Sequence, residues 1–115
     1  MNGFDKTRRL LAKSDYDHVF AQANKLATSE FVILYRENSI GHARIGLALS
    51  KKMIAKAHDR NRIKRLLRET FRVNNHLPPV DIVILAKPGV GKVDKSLMIT
   101  KLGSAWNKLS ALYGK

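Results

Sequence analysis

One segment of the chain, DRNRIKRLLRETFR from Asp59 to Arg72, restricts the possible folds more than any other. Five of its residues are arginine and one is lysine, and apolar residues stand between them three or four positions apart. At about 100° per residue, these apolar residues gather on one side of a helix and the basic ones on an adjoining arc. The sequence therefore predicts a long amphipathic helix over residues 55–74, ended before Pro78 and Pro79. Its apolar side is expected to lie on a sheet.

The two sides of this helix have different predicted roles. The apolar side is predicted to hold Ile63, Leu66, Leu67, Thr70, Phe71 and Val73. The basic arc is predicted to hold Arg60, Asn61, Lys64, Arg65, Arg68 and Arg72, with Arg68 and Asn61 near its middle. A merely solvated helix face mixes both signs of charge, whereas this arc has only Glu69 at its edge. Because a guanidinium group binds phosphate at two points and stacks on bases, the arc predicts contact with nucleic acid.

The composition supports that prediction. The chain has 115 residues, enough for one domain over 1–115, with 22 basic residues against 9 acidic ones and a formal charge of +13. Residues 51–72 hold nine basic residues against two acidic ones, so about a fifth of the chain carries +7 of that charge. Such a field attracts polyanions. No apolar run is long enough for a signal peptide or a membrane span, and the lack of cysteine suits a reducing cytosol, so a cytoplasmic location is expected.

Helices and strands are predicted to alternate around the basic segment. Ser14 is a good N-cap for a helix over 15–23, with Asp17 in a capping-box-like position. FVILYR (31–36) and VDIVILAK (80–87) are typical of buried strands, and ARIGLALS (43–50) is predicted to form a hairpin with the first of them. A last helix is predicted over 95–112. The predicted order is α-β-β-(short segment or strand)-α-β-α, an α+β fold with helices on a small sheet.

The strand at 43–50 has one face of small side chains. Alternation places Ile45, Leu47 and Leu49 on one face, and Gly46, Ala48 and Ser50 on the other with Arg44. A small-residue face either accepts a closely packed helix or floors an open groove, and both readings remain open here. The rings of Tyr16, Phe20 and Tyr35 could stack on bases of single-stranded or structured RNA, or could belong to the core. A basic helix could also enter a DNA major groove, but no zipper, zinc-finger or helix-turn-helix pattern accompanies it.

No residue pattern predicts chemistry by the protein itself. KPGVGKV (87–93) resembles a phosphate-binding loop. However, Ala86 occupies the position of the first glycine of that motif, and Val93 occupies the position of the Ser or Thr that binds Mg²⁺. It is better read as a turn between a strand and a helix. The histidines have no metal-ligand spacing, and no carboxylate pair or Ser-His-Asp order stands out. We therefore predict no catalytic residue and no metal site.

A longer segment carries a family resemblance. SKKMIAKAHDRNRIKRLLRETFR, residues 50–72, resembles the signature of the protein subunit of bacterial ribonuclease P. That signature is a strand ending in Ser/Ala-Lys-Lys, followed by Arg-Asn-Arg-x-Lys-Arg-x-x-Arg-Glu on a helix. The resemblance continues through RRLLAKSDYDHVF, HARIGLALSKK and VDIVILAKPGV, and it covers roughly residues 8–113.

The resemblance implies both a fold and a function. The family fold is a two-layer α/β sandwich in the order α-β-β-β-α-β-α, with a left-handed β-α-β crossover around the basic helix. Ribonuclease P is an endoribonuclease that removes the 5′ leader of precursor tRNA, and its RNA subunit carries the chemistry with bound Mg²⁺. The implied partners of the protein are that catalytic RNA and precursor tRNA, with no protein partner. The protein alone is not expected to be catalytic.

The resemblance also implies two sets of site residues. The candidates for contact with RNA are Lys51, Lys52, Lys56, Arg60, Asn61, Arg62, Lys64, Arg65, Arg68 and Arg72. The candidates for a groove that takes the leader are Tyr16, Phe20, Val32, Leu34, Ala48 and Ser50. Tyr16 stands where the family usually has phenylalanine, and the choice between Leu34 and Tyr35 depends on strand register. Two rivals are a ribosome-associated or general RNA-binding domain and, more distantly, a stand-alone metal-dependent nuclease.

Overall fold

A computed structural model of the protein describes residues 8–74 and 77–113. Within these residues the chain forms one four-stranded sheet and three α-helices, in the order α-β-β-β-α-β-α that the family resemblance implied. A short 3₁₀ turn, Val90–Lys92, precedes the last helix. The elements are α1 (Lys13–Ala21), β1 (Asn24–Ala27), β2 (Phe31–Glu37), β3 (Arg44–Ala48), α2 (Ala57–Arg72), β4 (Val80–Ala86) and α3 (Lys95–Tyr113).

The strands are arranged in the order β1-β2-β4-β3. β2 is antiparallel to both β1 and β4, while β3 is parallel to β4. The predicted hairpin between residues 31–36 and 43–50 is therefore wrong, because β4 lies between β2 and β3. The hairpin partner of β2 is instead the short strand β1, and Thr28 holds their turn by accepting the Phe31 amide on its hydroxyl at 2.9 Å. The extra strand thus precedes β2, whereas the predicted order put the short segment after residues 43–50.

The basic helix connects the two parallel strands. β3 and β4 are neighbours, and the chain passes from one to the other through α2, so the β-α-β crossover of the family is present. Its left-handed sense stays a prediction from the family. The turn predicted at 87–93 is confirmed, with Gly89 at a positive φ of 85° that glycine adopts without strain.

The main core lies between one face of the sheet and the helices α2 and α3. The predicted apolar side of α2 is confirmed for Ile63, Leu67 and Phe71, which have no exposed surface. Val73 was assigned to that side wrongly: it lies one residue beyond the helix and is 64% exposed. Trp106 of α3 packs its ring edge-on against Phe71 at a centroid distance of 5.8 Å, and its indole N–H donates to the Thr70 hydroxyl at 2.9 Å. The two helices are thereby tied together by both packing and a hydrogen bond.

A smaller core lies on the opposite face of the sheet, beneath α1. Val19 is fully buried there against Leu10 and Val83, with Leu34 packed beside them. Tyr35 is buried in the main core on the other face, so the register places Leu34 and not Tyr35 toward α1. Among the described residues, no helix combines the length and apolar character needed to cross a bilayer.

The start of α1 differs from the prediction. The helix begins at Lys13 and ends at Ala21, two residues earlier at each end than predicted. Ser14 is therefore inside the helix and is not its N-cap. The Asp15 carboxylate accepts the amide of Ala12, the residue before the helix, at 3.3 Å. Asp17, two residues further on, pairs with Lys13 at 2.7 Å and does not cap the helix.

Candidate nucleic-acid interface

The outward arc of α2 carries cations without counter-charges. The side chains of Lys64, Arg65 and Arg68 form no hydrogen bond or ion pair with any described residue, and neither does Asn61 in the same arc. Arg65, Arg68 and Asn61 are exposed, as the helical spacing predicted. Because the apolar side of the helix is fixed in the core, these groups are held pointing away from it. They form an arc of hydrogen-bond donors suited to phosphate.

Two further arginines of α2 have structural contacts. Arg60 donates to the carbonyls of Ile54 and Ala55 at 2.9 and 3.2 Å, which ties down the loop before the helix. Arg62 donates to the carbonyl of Gly91 at 2.8 Å, which ties α2 to the turn before α3. Their contact with RNA stays a prediction, but each guanidinium group already donates hydrogen bonds to the backbone of the protein. No spacing rule could have found these bonds, because their acceptors are backbone atoms of other segments.

Arg72 lies at the end of α2, where its charge is partly neutralised. Its guanidinium pairs with Glu69 at 2.7 Å. Its carbonyl accepts a hydrogen bond from Arg8 at 3.4 Å, and the Arg8 guanidinium lies 4.8 Å from the centre of the Phe71 ring. The middle of the basic arc is therefore Lys64, Arg65 and Arg68, with Arg72 as its paired end.

The loop between β3 and α2 extends the basic surface toward the sheet. Ser50 shapes its first turn, where its hydroxyl and its carbonyl accept the amides of Met53 and Ile54 at 3.3 and 3.0 Å. The lysines of this loop are exposed, and their side chains form no hydrogen bond or ion pair with any described residue. They are Lys51, Lys52 and Lys56.

Helix α1 covers only part of its face of the sheet. Three rows of side chains cross the strands β2, β4 and β3 on this face: Arg36–Asp81–Arg44, Leu34–Val83–Gly46 and Val32–Leu85–Ala48. The contacts of α1 belong to the first two rows. Arg36 donates to the carbonyl of His18 at 2.7 Å, and the Tyr16 ring lies so close to Gly46 that a Cβ there would come within 2.7 Å of it.

The closed end of this face is held by a buried ion pair. Arg44 makes two hydrogen bonds to the carboxylate of Asp81, at 2.9 and 2.8 Å, and Asn38 donates a third at 2.8 Å. These bonds to Asp81 raise the pKa of Arg44. Arg44 also reaches Asp15 of α1 at 3.8 Å, so the pair helps to fix the helix over the first row.

The third row is only partly covered, by the contact of Ala48 with the small core beneath α1, and forms an apolar groove beside the helix. Val32, Leu85 and Ala48 are each only half-buried, although all three are apolar. Phe20, which helical spacing places on the side of α1 near Tyr16, is 48% exposed. Ser50 is exposed where β3 leaves the sheet. We call this surface, with its floor of Val32, Leu85 and Ala48, the open groove.

The predicted groove residues divide accordingly. Val32 and Ala48 lie in the floor of the open groove and Ser50 is exposed two residues beyond Ala48, while Leu34 is beneath α1 and the Tyr16 ring is seated on Gly46. Phe20 is exposed, and its place beside the groove stays a prediction from helical spacing. The small-residue face of β3 serves both predicted roles, because Gly46 accepts a packed ring and Ala48 floors the groove. Leu85 is a floor residue that the sequence reasoning missed. Its alternation with Val83 along β4 is the signal that could have found it.

A cleft at the edge of β3 separates the basic arc from Gly46, which lies two residues along the strand from the groove residue Ala48. The segment before α1 is joined to this edge by the amide of Leu10, which donates to the carbonyl of Ile45 at 2.9 Å. The cleft is lined by Tyr16 and Gly46 on one side and by Lys64 and Arg68 of α2 on the other. The apolar groove and the arc of unpaired cations thus lie on either side of the edge of β3, close to each other.

Such a surface, on an α+β sandwich, defines the class of RNA-binding proteins that combine phosphate contacts with base stacking. The family model described as ribonuclease P matches residues 4–110, and the chain belongs to that family. The ribonuclease P protein component of Legionella pneumophila (strain Corby) is 60% identical over 115 residues, covering all of both chains. That of Photorhabdus laumondii is 44% identical over 106 residues, covering 91% of this chain and 89% of the relative.

Solved structures of the family have the same fold. The ribonuclease P protein of Staphylococcus aureus superposes with a TM-score of 0.83 at 27% identity, over 95% of this chain and 100% of that one. The protein from Thermotoga maritima gives a TM-score of 0.76 at 30% identity, over 92% and 98%. The chain is thus a protein subunit of bacterial ribonuclease P, a ribonucleoprotein endoribonuclease, and its partner is the RNA subunit.

Proposed function

We propose that the protein binds the RNA subunit through the basic arc of α2 and binds the 5′ leader of precursor tRNA in the open groove. It thereby assists removal of the leader while the RNA subunit carries out the cleavage. The observation that carries this proposal is the closeness of the two surfaces, since the cleft beside Lys64 and Arg68 is lined by Gly46, two residues along β3 from the groove residue Ala48. One protein surface can then touch both RNAs at once.

The two parts of the surface suit different parts of an RNA. The arc of Lys64, Arg65 and Arg68 presents charge and donors but no apolar area, so it suits the phosphates of a folded RNA. The open groove has apolar side chains and the half-exposed ring of Phe20, which suit unpaired bases. The leader is the single-stranded part of precursor tRNA, and so it is the part proposed to enter the groove.

The contribution of the protein is proposed to be electrostatic and positional. Two RNAs brought together repel each other, and a formal charge of +13 beside both of them reduces that repulsion. Holding the leader in the groove also fixes the adjoining cleavage site relative to the RNA subunit. Both effects would broaden the range of substrates and lower the Mg²⁺ concentration that the complex needs.

Mg²⁺ is proposed to be held mainly by the RNA subunit and the substrate, and to supply the activation of water and charge neutralisation there. In the described part of the chain, no group of three or more histidine, cysteine, aspartate or glutamate side chains could hold a metal ion. The buried carboxylates of Asp81 and Glu30 are paired with Arg44 and Lys101.

A cytoplasmic location is part of the proposal, since precursor tRNA is made there in bacteria.

Reconstitution tests the proposal directly. The protein alone should leave precursor tRNA intact, and the protein with the RNA subunit should cut it once, at the mature 5′ end. At low Mg²⁺ the complex should cut faster than the RNA subunit alone, and the gain should be smaller for a substrate whose leader has been shortened to one nucleotide. A gain that does not depend on the leader would contradict leader binding. Cleavage by the protein alone would contradict the proposed division of labour.

A further inference from the structure

The open groove extends beyond β2 to the edge strand β1. In the register of the sheet, Ala27 of the edge strand β1 pairs with Val32, so the third row continues across all four strands as Ala27, Val32, Leu85 and Ala48. Ala27 is exposed. With strands about 4.8 Å apart, the row is about 14 Å long. That length matches about four nucleotides stacked at the ~3.4 Å spacing of a helical strand.

The two ends of this row both carry basic residues. At the β3 end, Lys51 and Lys52 follow Ser50 and lead to the basic arc. At the β1 end, Lys25 pairs in register with Leu34 and so points to the same face of the sheet as the groove floor. Its diagonal neighbour across the strands is the floor residue Val32, within reach of a long side chain.

Lys25 is available for a ligand. It is exposed, and its side chain forms no hydrogen bond or ion pair with any residue that the structure describes. The nearby Lys87 differs, because its ammonium group donates to the carbonyl of Thr28 in the β1–β2 turn. An unpaired lysine on an edge strand can also serve only to prevent pairing with other chains, and an experiment has to separate that role from a binding role.

We propose that the leader crosses the sheet along this row, from the basic arc at β3 to the edge strand β1, and that Lys25 binds a phosphate at its far end. This inference rests on the proposed binding of the leader in the open groove. It adds a direction, a length and a terminal contact. A strand entering from the side of α2 lays its bases on the apolar floor, next to Phe20, and meets Lys25 last.

A series of leader lengths tests the path. The affinity of the reconstituted complex for precursor tRNA is measured with leaders of one to ten nucleotides, for the wild-type protein and for the variants Lys25→Ala and Lys25→Glu. Both variants should match wild type for short leaders and should lose the last gain in affinity, where the strand becomes long enough to reach β1. The Lys25→Ala loss should be about two- to five-fold, the range for one solvent-exposed ionic contact. The Lys25→Glu loss should be larger.

The salt dependence gives an independent readout. With a long leader, Lys25→Ala should flatten the slope of log affinity against log salt by about 0.7, the value for one phosphate of a single strand. With a short leader the slope should not change. Lys95→Glu is the matched control, because it makes the same change of charge at an exposed lysine of α3, in the opposite layer of the sandwich. It should produce no loss that depends on leader length.

The possible failures are distinguishable. If wild-type affinity rises with leader length but Lys25→Ala and Lys25→Glu follow wild type at every length, Lys25 is no leader contact and the inference is wrong. A loss that is equal at all lengths would overturn it as well, since Lys25 would then act on the tRNA body, the RNA subunit or the solution state of the protein. If wild-type affinity itself does not depend on the leader, the proposed function fails, and this inference fails with it.

Discussion

The arginines of α2 perform two different physical tasks within one helix. Arg60 and Arg62 donate to backbone carbonyls of other segments, whereas the side chains of Arg65 and Arg68 have no partner among the described residues. A substitution of the first kind removes a bond within the protein. A substitution of the second kind removes only what the side chain offers to a ligand. Stability and RNA affinity should therefore respond differently at neighbouring positions.

Arg68→Ala should weaken binding of the RNA subunit and leave the fold intact. Arg68 is exposed, near the middle of the basic arc, and lines the cleft at β3. Loss of one phosphate contact should also flatten the slope of log affinity against log salt by about 0.7–0.9. Filter binding over a range of salt concentrations and a thermal melt measure both effects.

Arg62→Ala is the comparison for the effect on stability, and it is no control for affinity, because Arg62 is itself a predicted RNA contact. It removes the same charge from the same helix, together with the 2.8 Å bond to the Gly91 carbonyl, and so it should lower the melting temperature. If Arg68→Ala changed neither affinity nor slope, Arg68 would not be an RNA contact. If it unfolded the protein, its role would be structural.

Phe20→Ala should weaken the binding of precursor tRNA by the complex by about ten-fold or more, because base–aromatic stacking contributes roughly 1–3 kcal/mol. Mature tRNA has no leader, so its affinity should hardly change. The ring is 48% exposed, and the melting temperature should stay near that of wild type. The measurements are the affinities of the complex for the two tRNAs and a melt of the free protein.

Leu97→Ala is a control of matched exposure. Leu97 is 49% exposed on α3, on the other side of the sheet, and its truncation should affect neither tRNA. Equal losses of precursor and mature tRNA with Phe20→Ala would show that Phe20 is not a leader contact.

At the scale of the elements, the orientation of α2 decides which of its residues can reach RNA. Leu67 has no exposed surface, and Leu67→Ala should lower the free energy of unfolding by about 2–5 kcal/mol, the range for a buried large side chain. Val73→Ala removes an apolar side chain that is 64% exposed and should change it by less than about 0.5 kcal/mol. Chemical denaturation measures both values. Similar values for the two variants would mean that the helix is rotated about its axis relative to the structure.

The placement of α1 determines the groove in the same way. The helix is held over two rows of the sheet by Tyr16 on Gly46, by Arg36 at its His18 carbonyl and by Arg44 near Asp15. Of the third row, Ala48 packs against the small core beneath α1, and no hydrogen bond or ion pair between α1 and this row is found among the described residues. The groove is therefore a consequence of where the helix is attached, and it is made from a sheet surface that would otherwise belong to the core.

At the scale of the whole molecule, the stability of a strongly basic protein depends on its few buried carboxylates. Glu30 lies in the β1–β2 turn and binds Lys101 of α3 at 2.6 Å. Burial by itself raises the pKa of Glu30. The hydrogen bonds from Lys101 and Ser29 and the charge of Lys101 together lower this pKa by more than burial raises it, so that the net pKa lies below the ordinary value of 4.5. A lowered folded-state pKa contributes stability that is fully present above pH 4.5 and is lost as the pH falls through the folded-state value.

Glu30→Gln should therefore be less stable than wild type at neutral pH, and the difference should shrink as the pH falls below 4.5. Denaturation at several pH values between 7 and 3 follows the difference in free energy of unfolding. Glu37→Gln is the control, because Glu37 is exposed and its side chain has no partner among the described residues. A Glu30→Gln difference that stayed constant over this range would show that the ion pair to Lys101 does not stabilise the fold.

The sequence by itself determined the features that depend on local period and spacing. The buried side of α2 at Ile63, Leu67 and Phe71, and the exposure of Arg65 and Arg68, follow from 3.6 residues per turn. The two faces of β3 follow from strict alternation, and the Arg-Asn-Arg signature was enough to indicate the family. These are properties of one segment, and the hydrophobic effect acts on them wherever the segment lies.

Only the tertiary structure decided which segments meet. The sequence patterns predicted β3 beside β2, but β4 lies between them. The seven residues of β4, most of them apolar, pair along the whole of β2, and no local pattern encodes this arrangement. The same holds for the bond from Arg62 to Gly91, for Leu85 in the groove floor and for Lys25 at its far end. Each depends on contacts between residues distant in sequence, and these are selected by the packing of the complete chain and not by the preferences of any one segment.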